Sequence, residues 1–469
     1  MNSVLTLLCL LLGAFIVFAV PALVAPYSLD YGVVTRFDAS KGVLLCAVVA
    51  APVAWFAYRQ KTDGPFLFKL FISALLARVF LGTVIFAFDG LEFFGGDAIT
   101  YDFYGQAQLL GWGGDKYFQS RVDGFIGTGY ASGWGMVYLV AGIYGLIGRN
   151  MLAVQLVNSV MGAATAVVIF LCAHHVFNNL RVARLAAIAV AFYPSLVLWS
   201  SQGLKDGPIV FLLALSILAT LRLGEKFSVK YAVILVSALF LLLSFRFYVF
   251  YMITAAVGGA FVIGMQRLNS VNFIRQFAII LILGLGLTYL GITRYAEVQL
   301  SQFATLERIQ VSRQDSATSA VSGFGRDIDV STGAGALSAI PLGLLYLLFA
   351  PFPWELASLR QSITLPEMII WWISFPMLVL GLWFSVRYRL RQISPIIIFT
   401  VMLSIAYSIF QGNVGNAYRQ RSQLLVFYFI FVAVGYVLLW EKREERRRLE
   451  MANRQPGEAS LTIPRVQQR

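Results

Sequence analysis

Three groups of residues in this chain are of types, and at spacings, that allow chemistry. The first lies in Phe93-Phe94-Gly95-Gly96-Asp97-Ala98-Ile99-Thr100-Tyr101-Asp102. Two glycines permit a tight turn, and Asp97 follows as the first residue of a short helix. A carboxylate there can act as a general base, taking the proton of a hydroxyl as its oxygen attacks; it can equally serve as a helix cap. Tyr101, one turn on, is a candidate substrate contact. Asp102, about 140° further round a helix, is expected to be solvated, with substrate binding as its other reading. The second group is Arg419 and Arg421 in Gly412-Asn413-Val414-Gly415-Asn416-Ala417-Tyr418-Arg419-Gln420-Arg421, and the third is Lys205 with Asp206, together with Arg246. Guanidinium forks grip phosphate bidentately and stabilise charge that develops on a leaving phosphate. The bland alternatives are snorkelling of long side chains to lipid headgroups and, for Lys205, a loop ion pair with Asp206.

Metal chemistry has thin support. His174 and His175 are the two histidines and are adjacent, so they assemble no cage. Cys9, Cys46 and Cys172 sit in apolar runs without paired spacing. Asp327 and Asp329 form an Asp-x-Asp that is the metal candidate, but the spacing is common in polar loops; no cofactor is expected and a divalent metal is not favoured.

These residues must be positioned by elements suited to lipid. Of 469 residues, 59% are hydrophobic and 13% charged, a balance a water-soluble core of this size does not need. Apolar segments of spanning length run at 2–24, 42–58, 66–88, 150–173, 183–200, 207–222, 229–245, 248–265, 273–293, 367–386, 393–411 and 421–440. This predicts an all-α polytopic protein of about 12 transmembrane helices, with the N-terminal run retained as the first span. The net charge of +13 is spread over short loops and a tail beside these runs, a pattern of membrane topology rather than nucleic-acid binding.

Two further apolar stretches, 131–148 and 336–353, either span or lie along the membrane. If neither spans, Arg59, Lys61, Arg181, Arg184, Arg222, Lys226, Lys230, Arg267, Arg275, Arg387, Arg389 and Arg391 all face the cytoplasm, as the positive-inside rule asks. The non-spanning choice puts the loop 89–130, the turn at Lys205 and Asp206, the loop 294–335 and the turn 412–421 together outside, where chemistry is to be sought. The stretch ending Ala350-Pro351-Phe352-Pro353-Trp354-Glu355 is broken by two prolines and is expected to turn back. Trp354 there is either a substrate contact beside a lipid tail or an aromatic interface anchor.

An Asp in the first outside loop followed by Tyr four residues later, Tyr193-Pro194-Ser195 through Trp199-Ser200-Ser201 to Lys205-Asp206, and the terminal arginine motif occur in an order that resembles the GT-C superfamily of membrane glycosyltransferases, particularly bacterial relatives of the protein O-mannosyltransferases. The resemblance implies an inner-membrane enzyme of residues 1–440, with 89–149 as a first extracytoplasmic loop carrying interfacial helices and 294–366 as a long loop with a re-entrant segment. Residues 441–469 form a basic, partly disordered cytoplasmic tail. The implied activity is inverting transfer of a sugar from a polyprenyl-phosphate donor to an extracytoplasmic hydroxyl of a glycan, lipid-linked glycan or protein. Asp97 would be base, and Arg419, Arg421, Lys205 and Arg246 would bind phosphate. Where many relatives have an acidic pair, Ala98 follows Asp97, which favours a metal-independent branch. The alternatives are an O-antigen polymerase or ligase, whose chemistry is expected to centre on a histidine or on loop arginines, and a lipid-linked sugar flippase or transporter, for which charges buried mid-membrane and internal repeats are expected.

Overall fold

Where backbone amides cannot bond to water they must be satisfied within their own segment, and the apolar runs of this chain fold accordingly as helices. The computed structural model describes residues 36–88, 90–94, 96–127, 134–264, 305–356 and 358–454, with the isolated positions 13, 284 and 285. The expected spans at 2–24 and 273–293, and the tail beyond 454, lie outside the described residues.

Sixteen helices follow in order: α1 (Arg36–Tyr58), α2 (Gly64–Ala87), α3 (Asp97–Trp112), α4 (Lys116–Gly127), α5 (Trp134–Ile147), α6 (Met151–Phe177), α7 (Leu180–Phe192), α8 (Pro194–Ser200), α9 (Asp206–Glu225), α10 (Val229–Phe245), α11 (Phe247–Gly264), α12 (Leu306–Ser319), α13 (Gly333–Phe349), α14 (Leu359–Phe410), α15 (Val414–Gln420) and α16 (Ser422–Arg454). The chain is an all-α, multi-pass membrane protein. Six of the described helices are long and apolar enough to cross a bilayer, or seven if the bent pair α7 and α8 counts as one span. The 52-residue α14 is broken at Arg389, whose φ of −134° is not helical, so it supplies the two expected segments at 367–386 and 393–411 as a hairpin, both halves packing on α16. The total of twelve is not reached among the described residues.

The centre of the bundle is α6, buried along nearly its whole length between α1, α2, α7 and α9. The α14–α16 pair packs backbone to backbone at two glycines: a Cβ on Gly381 would stand 1.8 Å from the Phe431 carbonyl oxygen, and one on Gly435 2.0 Å from that of Met377.

Two ends of the bundle are distinguished by their polar links. At one end Arg184 binds Asp63 at 2.5 and 2.9 Å and Arg181 binds Glu444 at 3.2 Å. The other end gathers Asp97, Asp206, Arg246 and Arg419. Both ends of α5 lie there: a Cβ on Gly135 would abut the Ser244 hydroxyl near the end of α10, and the Ile147 carbonyl accepts from Lys41 at 3.5 Å.

Three devices shape that end. Pro194 cannot donate to Val190, and the α7–α8 pair bends by 54° there. The freed carbonyls are taken by Arg78, whose Nη1 donates to Ala191 at 2.7 Å and Nη2 to Val190 at 3.3 Å, while Nε donates to the Ser200 hydroxyl at 2.8 Å. Asn158 then ties the loop after α8 to α6, donating to the Gln202 and Leu204 carbonyls, each at 2.7 Å. Finally, the segment after α12 is stitched to the turn before α15: Phe324 N donates to Gly412 O at 2.8 Å and Val414 N to Ser322 O at 3.1 Å.

Candidate active site

Gly96 sits at φ +67°, a left-handed conformation that glycine adopts without cost, and α3 starts immediately after it. Gly96 has no side chain with which to cap the helix, and the Asp97 carboxylate does not turn back to do so. Its Oδ2 accepts instead from Arg419 Nη1 at 2.6 Å. Arg419 is carried by α15, which begins where the Asn413 side chain accepts from Gly415 N at 2.7 Å. The remaining edge of the same guanidinium lies on Asp206 Oδ2, Nε at 2.7 Å and Nη2 at 2.6 Å. Three segments far apart in the chain therefore meet through one arginine.

Arg246, in the break between α10 and α11, extends the group: its Nη2 is 4.0 Å from Asp206 Oδ1 and its guanidinium lies 5.6 Å from the Tyr248 ring centroid. Arg246 is buried, so its side chain does not snorkel. Lys205 is half-buried beside these residues, and Asp206 pairs with Arg419 rather than with it. Burial, reinforced by the Arg246 charge, pulls the Lys205 ammonium down to about 7. For Arg419, burial disfavours the charge, but the Asp206 and Asp97 carboxylates outweigh it and hold the guanidinium above its ordinary range. Tyr101 is buried one turn along α3, its hydroxyl raised by burial and then by Asp97. The Trp199 ring completes this wall, 5.6 Å beneath the Arg419 guanidinium.

Two sequence expectations are corrected. Asp102 is not solvated: it is 3% exposed, accepts from the Tyr144 hydroxyl at 2.5 Å, and is forked by Arg149 through Nε at 3.2 Å and through Nη2. The cause is tertiary, since α5 and the corner leading into α6 cover that face of α3. Arg421 does not join Arg419. It is fully buried, with Nη1 donating to the carbonyls of Leu348 at 3.0 Å and Ala350 at 3.2 Å and Nη2 beside Met368 Sδ at 2.9 Å. There it caps the end of α13.

The other candidates stand apart from the cluster. Trp354 is 77% exposed and stacks on Phe352 at 5.2 Å. Asp327 and Asp329 are both exposed; the Ser331 backbone N–H holds the Asp329 carboxyl below the usual carboxylate range. Among the described residues no three His, Cys, Asp or Glu side chains gather as metal ligands. His174 and His175 lie at the opposite end of the bundle, His175 3.3 Å from Glu225.

Sequence reasoning passed over Arg78 and also Glu367, which is buried in α14 and accepts from the Tyr418 hydroxyl at 2.7 Å. A charge inside an apolar run was the available signal for Arg78, and Glu367 stands at the head of one.

Residues 133–290 match the dolichyl-phosphate-mannose-protein mannosyltransferase family. The match takes in α5 through α11 with Lys205, Asp206 and Arg246, and neither Asp97 nor Arg419. No curated protein matches the chain.

Proposed function

We propose, from the premise that this chain is a multi-pass membrane glycosyltransferase of the GT-C, mannosyltransferase-like type, that it transfers a sugar from a polyprenyl-phosphate donor to a hydroxyl of a glycan, lipid-linked glycan or protein. In this reading the Asp97 end of the bundle faces the extracytoplasmic side of the inner membrane, and the arginine-rich tail faces the cytoplasm.

The observation that carries the proposal is the 2.6 Å contact between Asp97 and Arg419, residues 322 positions apart, with Asp206 on the far edge of the same guanidinium. It sets a carboxylate base within reach of the cation that would receive the leaving phosphate. Charge balance agrees with such a ligand. Lys205, Arg246 and Arg419 face Asp97 and Asp206, which leaves one positive charge unmatched while Lys205 is protonated, and a phosphodiester donor carries one negative charge.

The chemistry follows from those groups. The acceptor oxygen attacks the anomeric carbon from the face opposite the phosphate as its proton passes to Asp97, and the bond from that carbon to the phosphate oxygen breaks. Arg419, Arg246 and Lys205 take up the charge that develops on the phosphate, which is worth most in a water-poor site. A single displacement inverts the sugar configuration. Arg421 enters as a positioning residue, fixing α13 against the start of α16.

Purified protein incubated with a panel of polyprenyl-phosphate sugars, with and without chelator, should release polyprenyl phosphate for at least one donor. Asp97→Asn should abolish that release while donor still binds. An Asp97→Asn variant with undiminished turnover would refute the assignment of the base.

A further inference from the structure

Arg419 holds its two carboxylates unequally. Asp206 is 1% exposed and accepts from Nε, with Nη2 in ionic contact on the same oxygen at 2.6 Å, whereas Asp97 is 46% exposed and accepts from Nη1 alone. Beside them stand two cations with spare hydrogen-bonding capacity. Arg246 Nη1 is buried without an acceptor, and Lys205 has no hydrogen-bond or ion-pair partner among the described residues. A buried guanidinium N–H without an acceptor points to a ligand that supplies one. The carboxylate that an arriving anion displaces most readily is the exposed one, bound by a single N–H.

Resting on the donor reading above, we propose that the donor phosphate takes the place of Asp97 on the Nη1 edge of Arg419, bridging to Arg246 Nη1 and Lys205, while Asp206 keeps the guanidinium in position. Asp206 is thus a positioning residue. Asp97 Oδ2, which accepts the Arg419 N–H, loses that charge-assisted bond when the donor is seated, and its carboxylate becomes the stronger base toward a hydroxyl proton. The exchange forms and breaks no covalent bond. It couples base strength to donor occupancy and so weakens activation of water while Arg419 neutralises Asp97.

The test is binding of a polyprenyl methyl phosphodiester, which has the donor's single negative charge and no transferable sugar, to the full-length detergent-solubilised protein. If Asp97 competes for Arg419, Asp97→Asn should tighten binding by about fivefold, the size of one partly exposed ion pair. The gain should shrink to below about twofold when Arg419→Gln is already present. Simple repulsion between Asp97 and phosphate would instead tighten binding equally in both backgrounds, and that result overturns the exchange, as does an Asp97→Asn affinity equal to or weaker than wild type. If Arg419→Gln does not fold, carbodiimide labelling of wild-type Asp97 substitutes: labelling should rise on adding the phosphodiester, and unchanged or reduced labelling rejects the exchange. Failure of the wild-type protein to bind the phosphodiester at all would overturn the donor reading itself, and the exchange with it.

Discussion

Arg78 on α2 donates to the Ala191 carbonyl at 2.7 Å, across the bundle at the point where Pro194 interrupts the helix. Its other donors reach Val190, Ser200 and Ala74, so a fully buried guanidinium is satisfied among the described residues by neutral oxygens. The arrangement fixes the bend from which α8 and then the Lys205–Asp206 loop proceed. Arg78→Met would leave at least two buried carbonyls without donors, at about 1–3 kcal/mol each. The expected outcome is a thermal midpoint lowered by several degrees in detergent, with a turnover loss of about tenfold or more as Asp206 loses its placement. Unchanged melting and turnover would show that the bend does not depend on Arg78.

The Lys205 ammonium, drawn down to about 7 by burial, gives the candidate site a pH dependence of definite sign. Below that value the side chain is charged and supports an anionic donor; as pH rises through it, the charge is lost. The donor KM should therefore be flat under acidic conditions and increase as pH passes about 7. Lys205→Met should have a high KM with no step in this range. Lys205→Arg, always charged, should likewise lack the step but retain a low KM. KM profiles between about pH 5.5 and 9 for the three proteins decide the matter, and a step that persists in Lys205→Met would assign it to another group.

The helices were legible in the sequence because bilayer insertion imposes a local criterion: a long apolar run is a helix whatever surrounds it. The gathering of charged residues at the Asp97 end was legible for a related reason. Lys205, Arg246 and Arg419 are basic residues that the sequence reading puts on the outer face, where the positive-inside rule disfavours them, so each asked for a partner; Arg419 meets Asp97 and Asp206, and Arg246 lies 4.0 Å from Asp206. Arg421 met the same criterion and was misread, because two residues of separation across the α15–α16 junction turn one guanidinium toward α3 and the other toward α13. Asp102 was misread because a helical wheel describes only its own helix and cannot register that α5 and Arg149 cover the opposite face. Arg78 carried a signal, a charge within an apolar run, and Glu367 a weaker one at the head of a run, but their partners are carbonyls and hydroxyls set by tertiary contact.

Close approach of α14 and α16 is a second condition for the cluster, since Arg419 lies in the short segment that joins them. Gly435 allows it: a Cβ there would meet Met377 O at 2.0 Å, a distance that backbone must yield to. Gly435→Ala should cost about 1–3 kcal/mol as an overpacked contact and lower the unfolding temperature. Gly258→Ala is the matched comparison, with no atom within 4 Å of the added carbon, and should be neutral or stabilise by up to about 1 kcal/mol through helix propensity. Equal effects of the two substitutions would mean that the α14–α16 interface tolerates separation.

Asp206 is the most buried charge of the cluster, and it faces Arg419 on one oxygen and Arg246 on the other. Asp206→Asn removes the counter-charge of the buried Arg246 and the largely covered Arg419 while retaining side-chain volume. Breaking a buried pair by neutralising one partner costs about 3–5 kcal/mol. The variant should be markedly less stable than Asp97→Asn, whose carboxylate is half-exposed and whose loss leaves Arg419 still held by Asp206. Turnover should fall in both, but for different reasons. In Asp97→Asn the donor KM should stay near or below the wild-type value while kcat collapses. In Asp206→Asn, Arg419 is no longer held for the donor, so KM should rise together with the fall in kcat. Melting curves read alongside the KM and kcat of the two variants separate the base from the residue that holds the arginine; if Asp206→Asn proves as stable as Asp97→Asn and leaves KM unchanged, Asp206 does not carry the weight assigned to it.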